Sequence, residues 1–171
     1  MTDETTVRRA TPSDAEALAR GAVSALADYP EFAPTGWSLP TYEQELDGLA
    51  ELLADAEYHC FLAELGGEVV GQVVVLPAAR TARPVDEPGL AHLRNLFVDR
   101  SQWGSGLAAE LLRTAVEDAR GSGFGAVRLF VAEGQARARR FYEREGWRAV
   151  TEPYFDAKPG LSMVEYRLAL G

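Results

Sequence analysis

The chain has 171 residues, of which 47% are hydrophobic and 25% are charged, a composition typical of one globular domain spanning residues 1–171. Its formal net charge of −9 argues against non-specific nucleic-acid binding, because that binding needs cations to displace counterions from phosphate. Two histidines and one cysteine cannot form a Cys/His zinc site, so no metal is expected. Neither an apolar export segment nor a run of ~20 apolar residues is present, so we expect a cytoplasmic protein without membrane partners.

The N-terminal part of the chain predicts a strand followed by two helices. Residues 7–10 read as a short strand, and Thr11 and Pro12 then suit the N-cap and the first position of a helix. The stretch 29–40 predicts an ordered loop, since linkers seldom carry so many large aromatic groups. Residues 41–53 open with a capping box and predict a second helix.

The rest of the chain mixes strands and helices. Two apolar runs, 58–65 and 68–76, are separated by two glycines and predict a β-hairpin. Residues 77–89 predict a loop. The following segments predict, in order, strand 90–98, helix 106–120, strand 126–132, helix 135–145 and strands 147–151 and 161–170. This order predicts an α/β (α+β) fold in which helices pack on one sheet.

Strand 90–98 has an irregular apolar spacing. Leu93 and Leu96 are three residues apart, whereas side chains on the same face of a regular strand are separated by an even number. If both leucines are buried on one face, an extra residue near Arg94–Asn95 forms a β-bulge. A strand buried on both faces explains the spacing equally well, so both interpretations remain open.

A glycine turn, Gly104–Ser105–Gly106, connects this strand to the next helix. The free N–H groups and the positive dipole end of a helix that begins at such a turn can bind an anion. No lysine follows the turn, which excludes the phosphate loop of the nucleotide triphosphatases. The turn by itself is also compatible with a simple tight connection.

Two motifs together resemble those of the GNAT superfamily of acyl-CoA-dependent N-acetyltransferases. Its first motif is the end of a strand, matched here by Leu96-Phe97-Val98, followed by the pattern Arg/Gln-x-x-Gly-x-Gly/Ala. Gly106-Leu107-Ala108 match the end of that pattern, and Trp103 stands at its Arg/Gln position. Its second motif is matched by Ala138, Phe141, Tyr142, Glu143 and Gly146, with Gln135 replacing Asn and Trp147 replacing Phe. The order of elements agrees from residue 7 to residue 170.

The resemblance implies a mixed, mostly antiparallel central sheet with splayed middle strands and helices on both faces. It also implies that acetyl-CoA, the acyl-donor cosubstrate, lies between strands 90–98 and 126–132. Backbone groups of the first strand would pair with the pantetheine, and N–H groups of the glycine turn would bind the pyrophosphate. The implied acyl-CoA contacts are Leu96, Phe97, Val98, Trp103, Gly104, Ser105, Gly106, Leu107, Ala108, Gln135, Ala138 and Tyr142.

The implied reaction is direct transfer of the acetyl group from the thioester to a primary amine. An N–H near the bulge would stabilise the oxyanion, and Tyr142 stands where the family has the acid that protonates the leaving thiolate. A core tyrosine with a hydroxyl bonded to the backbone is the alternative. His92 stands where relatives often have a glutamate base, although it could equally be a packing residue bonded to its neighbours. A water chain held by Glu133 or Tyr58 is a further alternative.

The family binds its acceptor between the first helices and the C-terminal hairpin, which here implies Tyr29, Phe32 and Trp37 as substrate-binding residues. Residues 21–79 contain ten acidic residues and no Lys or Arg, whereas residues 94–148 contain ten Arg and seven acidic residues. The acidic segment favours a small cationic amine as acceptor, unless it is only a solvated face. Acetylation of protein or peptide amino groups, and acyl-CoA sensing without catalysis, are the competing functions. A homodimer is left open.

Overall fold

The structure is a computed structural model that describes residues 4–171. The strands are β1 (Thr6–Arg9), β2 (His59–Leu65), β3 (Glu68–Pro77), β4 (Leu90–Val98), β5 (Ala126–Ala132), β6 (Arg148–Ala149), β7 (Tyr154–Asp156) and β8 (Leu161–Ala169). The helices are α1 (Ala15–Ala25), α2 (Tyr42–Leu46), α3 (Leu49–Ala54), α4 (Leu107–Gly121) and α5 (Ala136–Arg144). The strands form one sheet in the order β1-β2-β3-β4-β5-β8-β6, with β7 also pairing with β8.

The sheet has a hydrophobic core on each face. On one face, α4 and α5 cover a core that includes Leu111, Leu129 and Trp147. On the other face, α1 and α3 cover a second core that includes Leu18 and Leu62. Every strand pair is antiparallel except β4 with β5. The expected fold class, a mixed and mostly antiparallel sheet with helices on both faces, is therefore confirmed.

The two middle strands separate after a short parallel contact. β4 and β5 pair only from Leu90 with Ala126 to His92 with Arg128. Beyond His92, the remaining residues of β4 have no partner in β5, although both strands continue. This separation opens a gap in the middle of the sheet, as the splayed strands of the expected fold require.

The β-bulge in β4 is confirmed. Arg94 pairs with Val74 and Phe97 with Gln72, so two residues of β4 lie opposite a single residue of β3. Asn95, one of the two, has a φ of 54°, the only positive φ of a non-glycine residue among residues 4–171. Leu93 and Leu96 consequently both pack on the core beneath α4, despite their odd spacing.

Two segments differ from the sequence-based prediction. The helix predicted over 41–53 is two short helices, α2 and α3, because Gly48 adopts a left-handed φ of 73° between them. The strand predicted over 147–151 is regular for only two residues, because the Glu165 N–H donates to the Thr151 hydroxyl (3.0 Å) instead of a backbone carbonyl. Strand β7 was not predicted. In the described part of the chain, no helix combines the length and apolar character needed to cross a bilayer.

Candidate active site

The glycine turn forms an anion-binding end on α4. Gly104 and Gly106 have φ values of 82° and 89°, which a side chain would strain. The N–H groups of Gly104, Gly106 and Ala108 make no hydrogen bond to any of residues 4–171, whereas the Leu107 N–H is held by the Ser105 hydroxyl (3.3 Å). These free donors, together with the dipole of a 15-residue helix, suit a phosphate group.

Trp103 connects the turn to α5. Its indole N–H donates to the Val98 carbonyl (3.2 Å), and the guanidinium of Arg137 lies 3.6 Å from the centroid of its ring. A cation from the second motif therefore stands beside the turn, although Trp103 replaces the Arg or Gln of the first motif. The indole also occupies a carbonyl that was expected to pair with the pantetheine.

Tyr142 lies on α5 against the core and is 9% exposed. Its ring packs near Phe141, Trp147 and Tyr166, with centroids 5.3–6.3 Å away. Its hydroxyl makes no hydrogen bond to a backbone or side-chain group of residues 4–171. This differs from the alternative interpretation, in which the backbone accepts a hydrogen bond from the hydroxyl. Burial, and to a lesser extent Tyr29, raises the pKa of this hydroxyl, so Tyr142 remains protonated at neutral pH.

The aromatic loop reaches across the sheet to the start of α5. The Tyr29 hydroxyl donates to Gln135 Oε1 (3.3 Å), and the Trp37 indole N–H donates to the carbonyl of Pro159 (2.7 Å) in the β7–β8 turn. The rings of Phe32 and Trp37 lie 4.9 and 5.8 Å from that of Tyr29. The structure thus brings the three predicted substrate-binding aromatics close to Gln135 and, through Tyr29, to Tyr142.

A cavity of about 160 Å³ adjoins the bulge on the face covered by α1 and α3. Its lining includes Glu45, Tyr58, Arg94 and Asn95. Burial raises the pKa of the Glu45 carboxyl, and the charge of Arg94 partly opposes this effect. Of the two proposed holders of a water chain, Tyr58 lines the cavity, whereas Glu133 is exposed and accepts a hydrogen bond from Ser162 (2.7 Å).

His92 is 6% exposed and lies at the point where β4 and β5 separate. Its Nδ1 has no hydrogen-bond partner among residues 4–171, and its ring lies 5.2 Å from that of Phe130. Burial, with the charges of Arg128 and Arg94, lowers the pKa of His92 to about 3. The imidazole is therefore neutral at pH 7 but accepts a proton poorly, and its role as the base stays a prediction.

Ion pairs reduce the acidic field predicted for residues 21–79. Asp28 pairs with Arg100, Asp55 and Glu57 pair with Arg80, and Glu64 pairs with Arg8. Four of the ten acidic residues are thus matched by arginines from outside the segment.

Sequence reasoning also missed Glu45, Arg94 and Arg128 as candidate site residues. The signal for the two arginines is a charged residue inside an otherwise apolar strand.

Comparisons with known proteins agree with this geometry. A family model described as "Acetyltransferase (GNAT) family" matches residues 23–147. Human N-acetyltransferase 8 is 34% identical over 101 residues, which are 56% of this chain and 41% of the human protein. The chain thus aligns with about two-fifths of the length of that curated relative.

Solved structures share the fold over nearly the whole chain. A GNAT-family acetyltransferase from Desulfovibrio desulfuricans superposes with a TM-score of 0.74 at 26% identity, covering 98% of this chain and 100% of that one. The ribosomal-protein-S18-alanine N-acetyltransferase of Escherichia coli superposes with a TM-score of 0.71 at 18% identity, covering 98% and 94%. The family match, the splayed strands, the glycine turn and the second motif agree: this chain belongs to the acetyltransferase (GNAT) family.

Proposed function

We propose that the protein transfers an acetyl group from acetyl-CoA to the primary amine of a small molecule by direct attack on the thioester. The observation that carries this proposal is Tyr142 of the second motif, whose hydroxyl makes no hydrogen bond to any of residues 4–171 and stays protonated at neutral pH. Acetyl-CoA supplies an activated acetyl group when it is bound.

The binding groups lie along β4, the glycine turn and α5. The free N–H groups of Gly104, Gly106 and Ala108 suit the pyrophosphate, and Arg137 adds a positive charge beside them. Backbone groups alternate in direction along β4, and the Asp99 N–H donates to the Val70 carbonyl on the β3 side, so the groups of Leu96 and Val98 are directed to the gap and suit the amide groups of the pantetheine. Ser105, Leu107 and Ala138 are the neighbouring residues expected to contact the cofactor.

The bulge and Tyr142 supply the groups for acyl transfer. Asn95 and Leu96 share one partner residue in β3, so an N–H at the bulge is free to stabilise negative charge on the acetyl oxygen. Tyr142 donates its proton to the departing thiolate, and the proton released by the attacking nitrogen restores the tyrosine. The raised pKa of Tyr142 keeps the donor form present across the neutral range.

Deprotonation of the amine needs a separate group. An amine with a pKa near 10.4 requires about 4–5 kcal/mol to become neutral at pH 7. His92 was the predicted base, but its pKa of about 3 makes it a weak proton acceptor. Glu45 is the better candidate, because burial raises its proton affinity and it lines the cavity next to the bulge, where Tyr58 can hold a water molecule.

A small acceptor with a cationic amine fits the surroundings better than a protein side chain. The aromatic loop bonds to Gln135 and Pro159 and covers one side of the gap. The adjoining cavity of about 160 Å³ is small for a ligand site, and Glu45 and Asp47 on its wall make no ion pair within the described chain. Protein acetylation is the alternative, since the Escherichia coli neighbour is described as modifying a ribosomal protein.

Thiol release from acetyl-CoA, measured with polyamines, amino acids and peptides, tests this function. We expect turnover with small amines and a loss of about 100-fold or more in kcat for Tyr142→Phe. Tyr42→Phe, a partly buried tyrosine of α2, is the matched control and should retain the rate. Acetyl-CoA binding by calorimetry without turnover of any amine would favour the sensor, and a fully active Tyr142→Phe would remove Tyr142 as the acid.

A further inference from the structure

Three unpaired nitrogens lie on one face of the two middle strands. They are His92 Nδ1, Arg94 Nε and Arg128 Nε, and they are the only buried side-chain N or O atoms without a partner among residues 4–171. His92 and Arg128 are the last paired residues before β4 and β5 separate, and Arg94 follows His92 on the same face of β4. Because buried polar groups are almost always hydrogen-bonded, these three nitrogens together would stabilise a polar ligand that bonds to them.

Arg128 is a buried cation without an anion. It is 4% exposed, and one of its Nη atoms donates to the Thr81 hydroxyl (3.1 Å) and the Arg83 carbonyl (2.6 Å). It forms no ion pair with an acidic residue of the described chain. A buried charge normally has an oppositely charged partner, since its desolvation is costly.

The carboxylates nearby already have other partners. Arg83 pairs with Asp156 (3.0 Å), and Arg167 pairs with Glu165 (2.7 Å) and Glu87 (2.8 Å). Glu165 lies close enough to Arg128 to influence its pKa, yet its short ion pair is with Arg167. The anion that Arg128 lacks must therefore come from outside these residues.

Phe130 contacts two of the three groups. Its ring lies 5.2 Å from that of His92 and 4.9 Å from the guanidinium of Arg128, so it is an apolar neighbour of both. Arg83 beside Phe130 and Arg167 beside Arg128 are paired with carboxylates, and His92 is neutral, so Arg94 and Arg128 are the positive charges here without a carboxylate partner among residues 4–171. A planar carboxylate can accept parallel hydrogen bonds from a guanidinium, which makes it the matching anion.

We propose that the acceptor carries a carboxylate in addition to its amine, and that this carboxylate binds among His92, Arg94 and Arg128. This inference rests on the proposed function and names its substrate class. Arg94 precedes the bulge and lines the cavity that Glu45 also lines. His92 lies two residues, or about 7 Å, before Arg94 on β4, with Arg128 opposite it on β5. An amine near Glu45 and a carboxylate near Arg128 describe a molecule of the size of an amino acid.

Matched acceptors test the proposal through turnover. We expect kcat/KM for an amino acid to exceed that for its carboxamide by at least tenfold, and Arg128→Gln to bring this ratio close to one. Arg148→Gln, an exposed arginine of β6, is the control and should keep the wild-type ratio. Equal rates for acid and carboxamide in the wild-type enzyme would overturn the proposal, and a preference for phosphoethanolamine over amino acids would replace the carboxylate with a phosphate.

The two histidines provide a readout that does not need catalysis. A carboxylate bound beside Arg94 and Arg128 should hydrogen-bond to His92 Nδ1 and change the chemical shifts of its imidazole, which NMR at pH 7 measures with His59 as the internal reference. An N-acetylated amino acid should shift His92, and its carboxamide should not. A His92 signal that changes with neither the N-acetylated amino acid nor its carboxamide would refute the anion site. A response to carboxylates without turnover of any amine would instead retain the site and remove the proposed function.

Discussion

Replacing His92 with glutamine tests whether the fold holds this imidazole neutral. The folded protein lowers the pKa of His92 to about 3, whereas an unfolded chain has a histidine pKa of about 6.5. Below pH 6.5 the unfolded chain therefore binds a proton that the folded protein does not. The stabilisation from this group is complete above pH 6.5 and is lost as the pH falls toward 3.

The size of the loss follows from the difference between the two pKa values. Each pH unit in this window removes about 1.4 kcal/mol, so the loss is about 2 kcal/mol at pH 5 and about 4–5 kcal/mol near pH 3. Glutamine does not titrate, so His92→Gln should lack this part of the acid destabilisation, whatever its stability at pH 7.

Urea denaturation at pH 7.5 and pH 5 measures the effect. The free energy of unfolding of the wild type should fall by about 2 kcal/mol more than that of His92→Gln between these two values. His59→Gln replaces the other histidine and should leave the additional loss in place. Parallel stability curves for the wild type and His92→Gln would show that His92 is not held neutral and would restore it as a candidate base.

Three further outcomes follow from other contacts. A Cβ on Gly134 would lie 2.7 Å from the Cβ of Phe32, so Gly134→Ala should lower the free energy of unfolding, measured in urea, by about 1–3 kcal/mol. Gly121→Ala is the control and should not lower it, because a Cβ at Gly121 meets open space. Equal effects of the two substitutions would contradict the packing of the aromatic loop. Trp103→Phe keeps an aromatic ring beside Arg137 but removes the N–H that bonds to the Val98 carbonyl. The freed carbonyl can then bond to the pantetheine, so the Kd of acetyl-CoA measured by calorimetry should fall about 2–10-fold. An unchanged Kd would mean that this carbonyl does not bind the pantetheine. Since burial raises the pKa of Tyr142, its ionisation should not lower kcat at any pH up to about 9.5. A decline of kcat below about pH 9.5 in the wild type that is absent from Tyr142→Phe would contradict this.

Local patterns predicted the features that depend on local rules. The odd spacing of Leu93 and Leu96 predicts a bulge because strand side chains alternate with a period of two, and the structure has an extra residue there. The glycines at 104 and 106 predict a turn, and both adopt positive φ. The family resemblance predicted the splayed strands and the order of the elements.

Features that depend on packing between distant segments were not predicted. Arg128 is one charged residue in an apolar strand, and the sequence does not reveal that Thr81 and the Arg83 carbonyl hold it inside the protein. The acidic count of residues 21–79 overstated the local field, because arginines such as Arg80 and Arg100 neutralise part of it from outside that segment. The helical pattern of residues 41–53 similarly concealed the break at Gly48.

The short contact between β4 and β5 has a mechanical consequence. Only three residue pairs join the half of the sheet ending at β4 to the half beginning at β5, and the bonds from Tyr29 to Gln135 and from Trp37 to Pro159 bridge the halves farther along. The backbone pairing between the two halves is thus short, although the core beneath α4 contains residues of both. A ligand that fills the gap between β4 and β5 adds contacts between the halves, so its binding should slow amide hydrogen exchange in both at once and raise the melting temperature of the whole protein.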